Sequence, residues 1–160
     1  MTAAGLLVLR LVVAVVLLAH GGHQVFGLFA GPSVGPGGLT TTAARFNTLG
    51  LEPGYPLAVI SGTIQLTAGS LLAVGLLARW ASIASVLYLG IVMWKDQWRW
   101  GFFANWVINP ERGHGIEISM VLAGALVCLA LAGAGDWSVD GRRARVAAAR
   151  ASGRARLRRN

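Results

Sequence analysis

Four long apolar stretches, separated by segments that contain polar or turn-forming residues, dominate the chain. They run over about residues 5–29, 55–77, 80–98 and 116–134. A helix needs roughly 20 residues to cross about 30 Å of hydrocarbon. The third stretch reaches that length if Lys95 extends its ammonium toward the headgroups and the helix continues past it. The pattern predicts an all-α fold, a polytopic membrane protein built as a four-transmembrane-helix bundle.

The segments between these stretches predict how the helices are connected. The first connector, about residues 30–56, is rich in Gly and Pro, which interrupt a helix. Within it, Thr40 to Leu49 predicts a short interfacial helix in the first outer loop, with Phe46 and Leu49 facing lipid. The second connector is short, about residues 78–80, so the second and third helices must form an antiparallel hairpin.

The first apolar stretch has one alternative interpretation, a cleaved signal peptide. Arg10 followed by the apolar run from Leu11 to Ala19 would supply its charged and hydrophobic regions. The apolar residues before Arg10 do not fit that interpretation, and the His-Gly segment after the run favours retained structure. We therefore expect a membrane helix that stays in the protein.

The charge distribution separates a neutral body from a basic tail. Apolar residues make up 55% of the chain and charged residues 12%, half of what a soluble domain usually carries. Eight arginines and no acids lie between Arg142 and Asn160, so the rest of the chain is balanced and the tail holds the net charge of +8. A nucleic-acid-binding domain would spread basic residues over a folded face, so no nucleic-acid partner is expected.

Lys and Arg counts predict the orientation of the helices. Four crossings put both termini and the second connector on one side, together with Arg10, Arg79 and the tail. We expect a multi-pass protein of the bacterial cytoplasmic (inner) membrane with both termini in the cytoplasm. Residues 1–140 form the predicted membrane domain and residues 141–160 the basic cytoplasmic tail. The tail is expected to be disordered or a frayed helix that contacts anionic lipid, or else a docking site for a soluble partner.

Aromatic residues and one thiol add less to the picture. Six Trp or Phe side chains between Trp94 and Trp106 are typical of a membrane–water interface, or else of a ligand-binding wall. Cys128 is the only cysteine, so a disulfide within the chain is excluded. Its position inside the fourth stretch predicts a core thiol, with a redox role as the alternative.

Several polar residues lie at membrane depth, where ionisable groups are costly and face the bundle interior or snorkel. Arg10 is near the cytoplasmic end and either snorkels to headgroups or makes an internal contact. The others lie in the outer half of the predicted bundle. We expect packing of the four helices to gather these polar residues around one pocket, with the Trp94 indole as an apolar wall. The residues of this predicted pocket are His20, His23, Gln24, Gln65, Trp94 and Glu117.

A polar pocket at that depth has the chemistry to bind a quinone. The carbonyl oxygens of a quinone headgroup accept hydrogen bonds from donors such as His or Gln, and a nearby carboxylate takes part in proton transfer. The alternative is that the same groups bond one another and hold the helices together. The sequence alone leaves both interpretations open.

Other cofactors and reactions are less well supported by the sequence. His20 and His23 are three residues apart and share a helix face, so they do not predict haem held between facing helices. His20, His23 and Glu117 are suitable metal ligands without a diagnostic spacing, and neither haem nor a metal is expected. The sequence contains no nucleotide-binding loop, nucleophile elbow or metalloprotease motif.

The order of several short segments resembles the DoxX family of small bacterial membrane proteins. His20–Gly27 is similar to the family's His-Gly-x-x-Lys-Leu-Phe-Gly. The other segments that carry the resemblance are Gln65–Leu72, Gly75–Arg79, Gly101–Ala104, the Gly115 and Glu117 pair, and Gly135–Asp140. The likeness covers about residues 5 to 140.

The resemblance implies a redox or quinone connection, because founding members of the family are associated with thiosulfate–quinone oxidoreduction and others resemble membrane partners of redox enzymes. Relatives often have Lys where this chain has Gln24 and Glu where it has Gln65, so proton transfer by such a pair is absent here. We expect a membrane subunit associated with a redox enzyme, part of a quinone-linked oxidoreductase complex, that contacts quinone in the outer pocket. The alternatives are a non-catalytic anchor or accessory subunit that recruits a protein partner or a second copy, and, less favoured, a transporter or lipid-handling protein.

Overall fold

The computed structural model describes residues 2–31, 34–109 and 111–157, with side chains described as far as residue 152. It contains six α-helices and no β-strand within those residues. The helices are α1 (Ala3–Phe26), α2 (Leu39–Thr48), α3 (Gly54–Val74), α4 (Ala78–Val92), α5 (Glu117–Ala132) and α6 (Val139–Leu157). The predicted all-α fold is therefore confirmed.

Two of the described helices, α1 and α3, are long and apolar enough to cross a membrane, and α5 is a shorter apolar helix. Large apolar side chains are exposed along α1, α3, α4 and α5, which a protein in water would avoid on this scale. The interior is made mainly of small and aliphatic residues, among them Val13, Leu17, Leu72, Leu126 and Leu129.

Glycines set the ends of the two longest helices. α1 ends at Phe26 because Gly27 adopts a left-handed conformation with φ 69°, and its N–H bonds the carbonyls of Gly22 and His23. Gly75 ends α3 in the same way, with φ 70°. The connector between α3 and α4 is therefore residues 75–77, three residues earlier than the sequence pattern indicated.

The third apolar stretch is not one continuous α-helix. After Val92 the chain continues as a π-helical turn (Met93–Gln97) and a 3₁₀ turn (Trp98–Trp100). A π turn re-aims the helix axis and side chains locally. Lys95 lies in this turn, with its ammonium 4.6 Å from the centre of the Trp94 ring.

The first connector contains the predicted short helix, found as α2. Its end is joined to the start of α3, because the Asn47 side-chain oxygen accepts a hydrogen bond from the Gly54 N–H at 2.8 Å. Thr42 donates to the carbonyl oxygen of Gln24 at 3.2 Å, and Arg45 forms an ion pair with Asp96. α2 is thus attached to α1, α3 and the turn after α4.

One expectation for the C-terminal half needs correction, and the described part of the tail has one of its two expected forms, a helix. The Cys128 side chain is exposed on α5 and is not part of the core, because buried Leu126 and Leu129 define the packed face of that helix. The residues after 140 continue a helix, α6, that begins at Val139 and whose described side chains after Gly141 are exposed. The predicted boundary between 140 and 141 falls inside its first turn.

Candidate functional site

A cluster of polar side chains joins α1, α3 and α4 in the half of the bundle that lies away from both termini. The hydroxyl oxygen of Tyr88 accepts hydrogen bonds from the side-chain amides of Gln24, at 3.1 Å, and Gln65, at 3.2 Å. Ser61 donates to the side-chain oxygen of Gln24 at 3.0 Å. We call these four residues the tyrosine cluster.

Small residues allow the helices that carry this cluster to approach closely. A Cβ atom built on Gly21 would lie 2.9 Å from the Leu66 side chain, and one built on Gly62 would lie 2.3 Å from that of Val25. At these distances a neighbouring side chain would have to shift, so the packing of α1 on α3 favours glycine at both positions. This close contact buries Gln65, which is 3% exposed.

The hydrogen-bond inventory of the tyrosine cluster closes within the cluster. A phenol oxygen has two lone pairs and one proton, and both lone pairs of Tyr88 accept from amides. The Ser61 hydroxyl also lies within hydrogen-bonding reach of Tyr88. Because the Ser61 proton goes to Gln24, the Ser61 oxygen can accept the phenol proton.

The two histidines of α1 do not join this cluster. His20 is exposed, and its Nδ1 donates to the Val16 carbonyl at 2.9 Å. His23 Nδ1 donates to the Leu28 carbonyl at 2.9 Å. Because a carbonyl can only accept, each neutral ring carries its proton on Nδ1, and Nε2 has the lone pair. His23 also organises the chain after α1, since its own carbonyl accepts from the N–H of Gly38 at 2.9 Å.

Trp94 and Glu117 are also apart from the tyrosine cluster. Trp94 is exposed at the start of the π-helical turn. Glu117 accepts hydrogen bonds from the Ala104 N–H at 3.0 Å and from the Trp106 indole at 3.3 Å. No described hydrogen bond joins His20 or Glu117 to Gln65. Of the six residues predicted to line one pocket, the structure brings together Gln24 and Gln65 and places the other four at separate points.

Ser61 and Tyr88 are the members of the cluster that sequence reasoning missed. A phenol in the middle of an apolar helix was the available signal, because a buried Tyr usually finds a hydrogen-bond partner for its hydroxyl. Ser61 gave a weaker signal, since serine in a membrane helix often bonds its own backbone, as it does here with the Ala58 carbonyl at 3.1 Å.

A second polar centre lies at the end of the bundle that holds both termini. Arg10 is 2% exposed and donates to the carbonyl oxygens of Ala134, at 2.8 Å, and Trp137, at 3.0 Å. Of the two alternatives for Arg10, the structure has the internal contact. Asp140 completes this arginine centre by accepting from the N–H groups of Leu77 and Ala78, both at 3.1 Å. It therefore caps the start of α4.

Metal-binding geometry is not found in the part of the chain that the structure describes. There, no group of three or more His, Cys, Asp or Glu side chains lies close enough together to hold a metal ion. The tyrosine cluster contains no ionisable carboxylate or imidazole. Its chemistry is that of neutral hydrogen-bond donors and acceptors, which suits a neutral ligand with carbonyl oxygens.

Comparison with known proteins identifies the family. The sequence model of the DoxX family matches residues 5–97, more than half of the chain. The match includes α1, α3 and α4 and therefore all four residues of the tyrosine cluster, whereas the resemblance seen at residues 101–140 lies beyond it. No curated protein and no solved structure matches the chain. The family match and the apolar helices together lead to one conclusion: the chain is a membrane protein that belongs to the DoxX family.

Proposed function

We propose that this protein is a membrane subunit of a redox enzyme and that it binds a quinone headgroup at the tyrosine cluster. The tyrosine cluster, a group of neutral polar side chains shared by three apolar helices, is the observation that carries the proposal. Its amides and hydroxyls can each donate as well as accept. A carbonyl oxygen that arrives from the lipid can therefore take the Tyr88 O–H from Ser61, while Ser61 keeps its bond to Gln24. A quinone supplies two-electron, two-proton redox chemistry when it is bound.

The residues present fit a quinone in polarity and in position. Gln24 and Gln65 fix the Tyr88 oxygen from two sides, so the phenol proton is left to point away from both amides. The cluster donates a hydrogen bond and supplies no charge, which suits a neutral headgroup. The Val16 carbonyl fixes the tautomer of His20 in which Nδ1 carries the proton, so the neutral ring has its lone pair at the exposed Nε2.

The proposal includes a four-helix arrangement in the bacterial cytoplasmic membrane. At about 1.5 Å per residue, α1 is about 36 Å long and α3 about 32 Å. In this proposal α4 crosses together with the turns that follow it, and α5 crosses together with the segment that precedes it. Arg10, Arg79 and α6 lie at one end of the bundle. The positive-inside rule then places both termini in the cytoplasm, α2 at the outer interface, and the tyrosine cluster in the outer half.

The decisive measurement is the quinone content of protein purified from its native membrane in mild detergent. Tyr88→Phe removes the phenol donor and keeps the ring, so we expect most of the bound quinone to be lost. Tyr55→Phe is the matched control, because Tyr55 is exposed at the start of α3 and its loss should leave the quinone content unchanged. Equal quinone in the wild type and in Tyr88→Phe would contradict the proposal.

A second candidate function, a non-catalytic anchor that recruits a soluble partner, is favoured by α6. Arg142, Arg143 and Arg150 are exposed on this helix, where they can contact anionic lipid or an acidic protein surface. Changing all three to Gln should release a co-purifying soluble protein if α6 is its docking site. Retention of the partner by this variant, with unchanged stability, would exclude docking through these arginines.

A further inference from the structure

Helix α5 is too short to cross a bilayer. Its 16 residues span about 24 Å, whereas the hydrocarbon core is about 30 Å thick. Its end near Ala132 lies beside the arginine centre, because Arg10 bonds Ala134. The missing length is therefore at the other end of the helix, where the chain from Gly101 to Ile116 leads into α5.

This segment is attached directly to the first turn of α5. The N–H of Ile116 bonds the Gly101 carbonyl at 3.1 Å, and the N–H of Glu117 bonds the Phe102 carbonyl at 2.9 Å. Residues 101–103 and 115–117 consequently lie side by side. The described part of the segment therefore continues from the end of α5 as a compact extension.

The polar backbone of this extension is largely satisfied from within. The Asn105 side chain donates to the carbonyls of Asn109, at 2.8 Å, and Arg112, at 2.6 Å, and accepts from the Asn109 N–H at 3.0 Å. Its own N–H donates to His114, and the residue is almost fully buried. Irregular backbone is tolerated at membrane depth where the protein itself supplies such partners.

The outermost turn of the extension presents apolar side chains. Trp106, Val107 and Ile108 are 70%, 83% and 81% exposed, and Trp106 keeps its indole N–H on Glu117. Ile108 has φ 50°, a conformation that branched side chains rarely adopt. The hydrogen bonds around Asn105 hold this turn in place, so the apolar side chains are displayed by a rigid support.

We propose that Trp106–Ile108 is a re-entrant tip that inserts into the outer leaflet and completes the fourth membrane crossing. Its occupant is phospholipid, because Trp106 bonds Glu117, the first residue of α5, and exposed apolar side chains continue along that helix at Ile118 and Val121. Arg112, whose carbonyl bonds Asn105 within the extension, is exposed and has the sign that pairs with lipid phosphates. The inference rests on the four-crossing arrangement proposed above and is independent of quinone binding.

The test places an environment-sensitive fluorophore on single cysteines in full-length protein reconstituted in phosphatidylcholine vesicles, which lack the anionic lipid that would attract the basic helix α6. Cys128→Ala removes the native thiol, and Val107→Cys and Ile108→Cys report the tip. Val121→Cys on the exposed face of α5 is the lipid control, and Ala148→Cys on α6 is the aqueous control. Quenching by nitroxide-labelled lipid is compared with quenching by iodide in the buffer.

We expect the labels at 107 and 108 to respond as at 121, with strong lipid quenching and little iodide quenching. Iodide quenching of the labels at 107 and 108, together with lipid quenching of the label at 121, would overturn insertion of the tip and leave the four-crossing arrangement standing. Protection from both quenchers at 107 and 108 would also overturn it, because protein and not lipid would then cover the tip. Iodide quenching at 121 would instead overturn the four-crossing arrangement.

Discussion

At the end of the bundle that holds both termini, Arg10 donates to backbone carbonyls, whereas at the opposite end Gln24, Gln65 and Tyr88 bond one another through side chains. The arginine centre has its acceptors fixed by the chain after α5. The tyrosine cluster consists of two amides and two hydroxyls, whose hydrogen bonds can be redistributed.

The difference separates a structural polar centre from one suited to a ligand. Carbonyl acceptors cannot change their protonation state or exchange roles, so the arginine centre has one arrangement. Amides and a phenol can each donate or accept, so the tyrosine cluster can rearrange around a ligand. Variants of the arginine centre should therefore mainly lower the stability of the protein, whereas variants of the tyrosine cluster should mainly change ligand binding.

The largest expected loss of stability follows from Arg10→Met. The substitution leaves the carbonyls of Ala134 and Trp137 without their donor, and Asp140 without the nearby charge, so we expect a loss of about 3 kcal/mol. Thermal unfolding in detergent measures it, with the exposed Arg142→Met as control. A melting curve equal to that of the wild type would show that Arg10 is not held as described.

Gly75→Ala should come next in size. Gly75 has φ 70°, and an added Cβ would meet the Arg10 guanidinium at 2.4 Å and the Ser138 side chain at 2.5 Å. We expect a loss of about 2 kcal/mol. Gly90→Ala is the matched control, because Gly90 lies in α4 with open space around its Cα. There, the better helix propensity of Ala should stabilise the protein by about 0.5–1 kcal/mol.

A double-mutant cycle between Gln65→Leu and Tyr88→Phe tests the coupling within the tyrosine cluster. Their shared hydrogen bond predicts a coupling free energy of about 1 kcal/mol in detergent unfolding. The same cycle applied to Arg10 and Tyr88 should be additive, since they belong to separate centres. Additivity of the Gln65 and Tyr88 changes would mean that the bond does not contribute in the folded protein.

The smallest effect is expected for Arg145→Gln on α6. Arg145 pairs with Asp136 at 3.6 Å, and both side chains are more than half exposed. Exposed ion pairs of this kind contribute about 0.2–1 kcal/mol, so the melting temperature should hardly change in physiological salt. A large loss would indicate that α6 is packed more tightly than its exposure suggests.

Periodicity and residue chemistry predicted the helices well because apolar runs and Gly-Pro interruptions act locally. The predicted positions of α1 and α3 are within a few residues, and Gly27 and Gly75 explain the differences at their ends. The π-helical turn at Met93–Gln97 was missed, because a single widened turn leaves the pattern of apolar and polar residues nearly unchanged.

The candidate site was harder to predict, because the position of a residue along its helix can be read from the sequence and the rotation of the helix cannot. His20 and Gln65 are in the same half of the bundle, yet His20 faces outward and Gln65 inward. Rotation depends on which small residues meet, such as Gly21 on Leu66. Trp94 and Glu117 were expected beside the pocket because the rotation of their helices was also unknown. Glu117 instead accepts from Ala104 and Trp106, and Trp94 lies against Lys95. The quinone pocket stays a prediction.

The pairing of Arg10 has a consequence for biosynthesis. Its acceptors, Ala134 and Trp137, are 124 and 127 residues further along the chain. At about 5–20 residues per second, the ribosome makes them roughly 6–25 s after Arg10. Until then these acceptors do not exist, so Arg10 cannot make its final contacts before the segment after α5 has been synthesised.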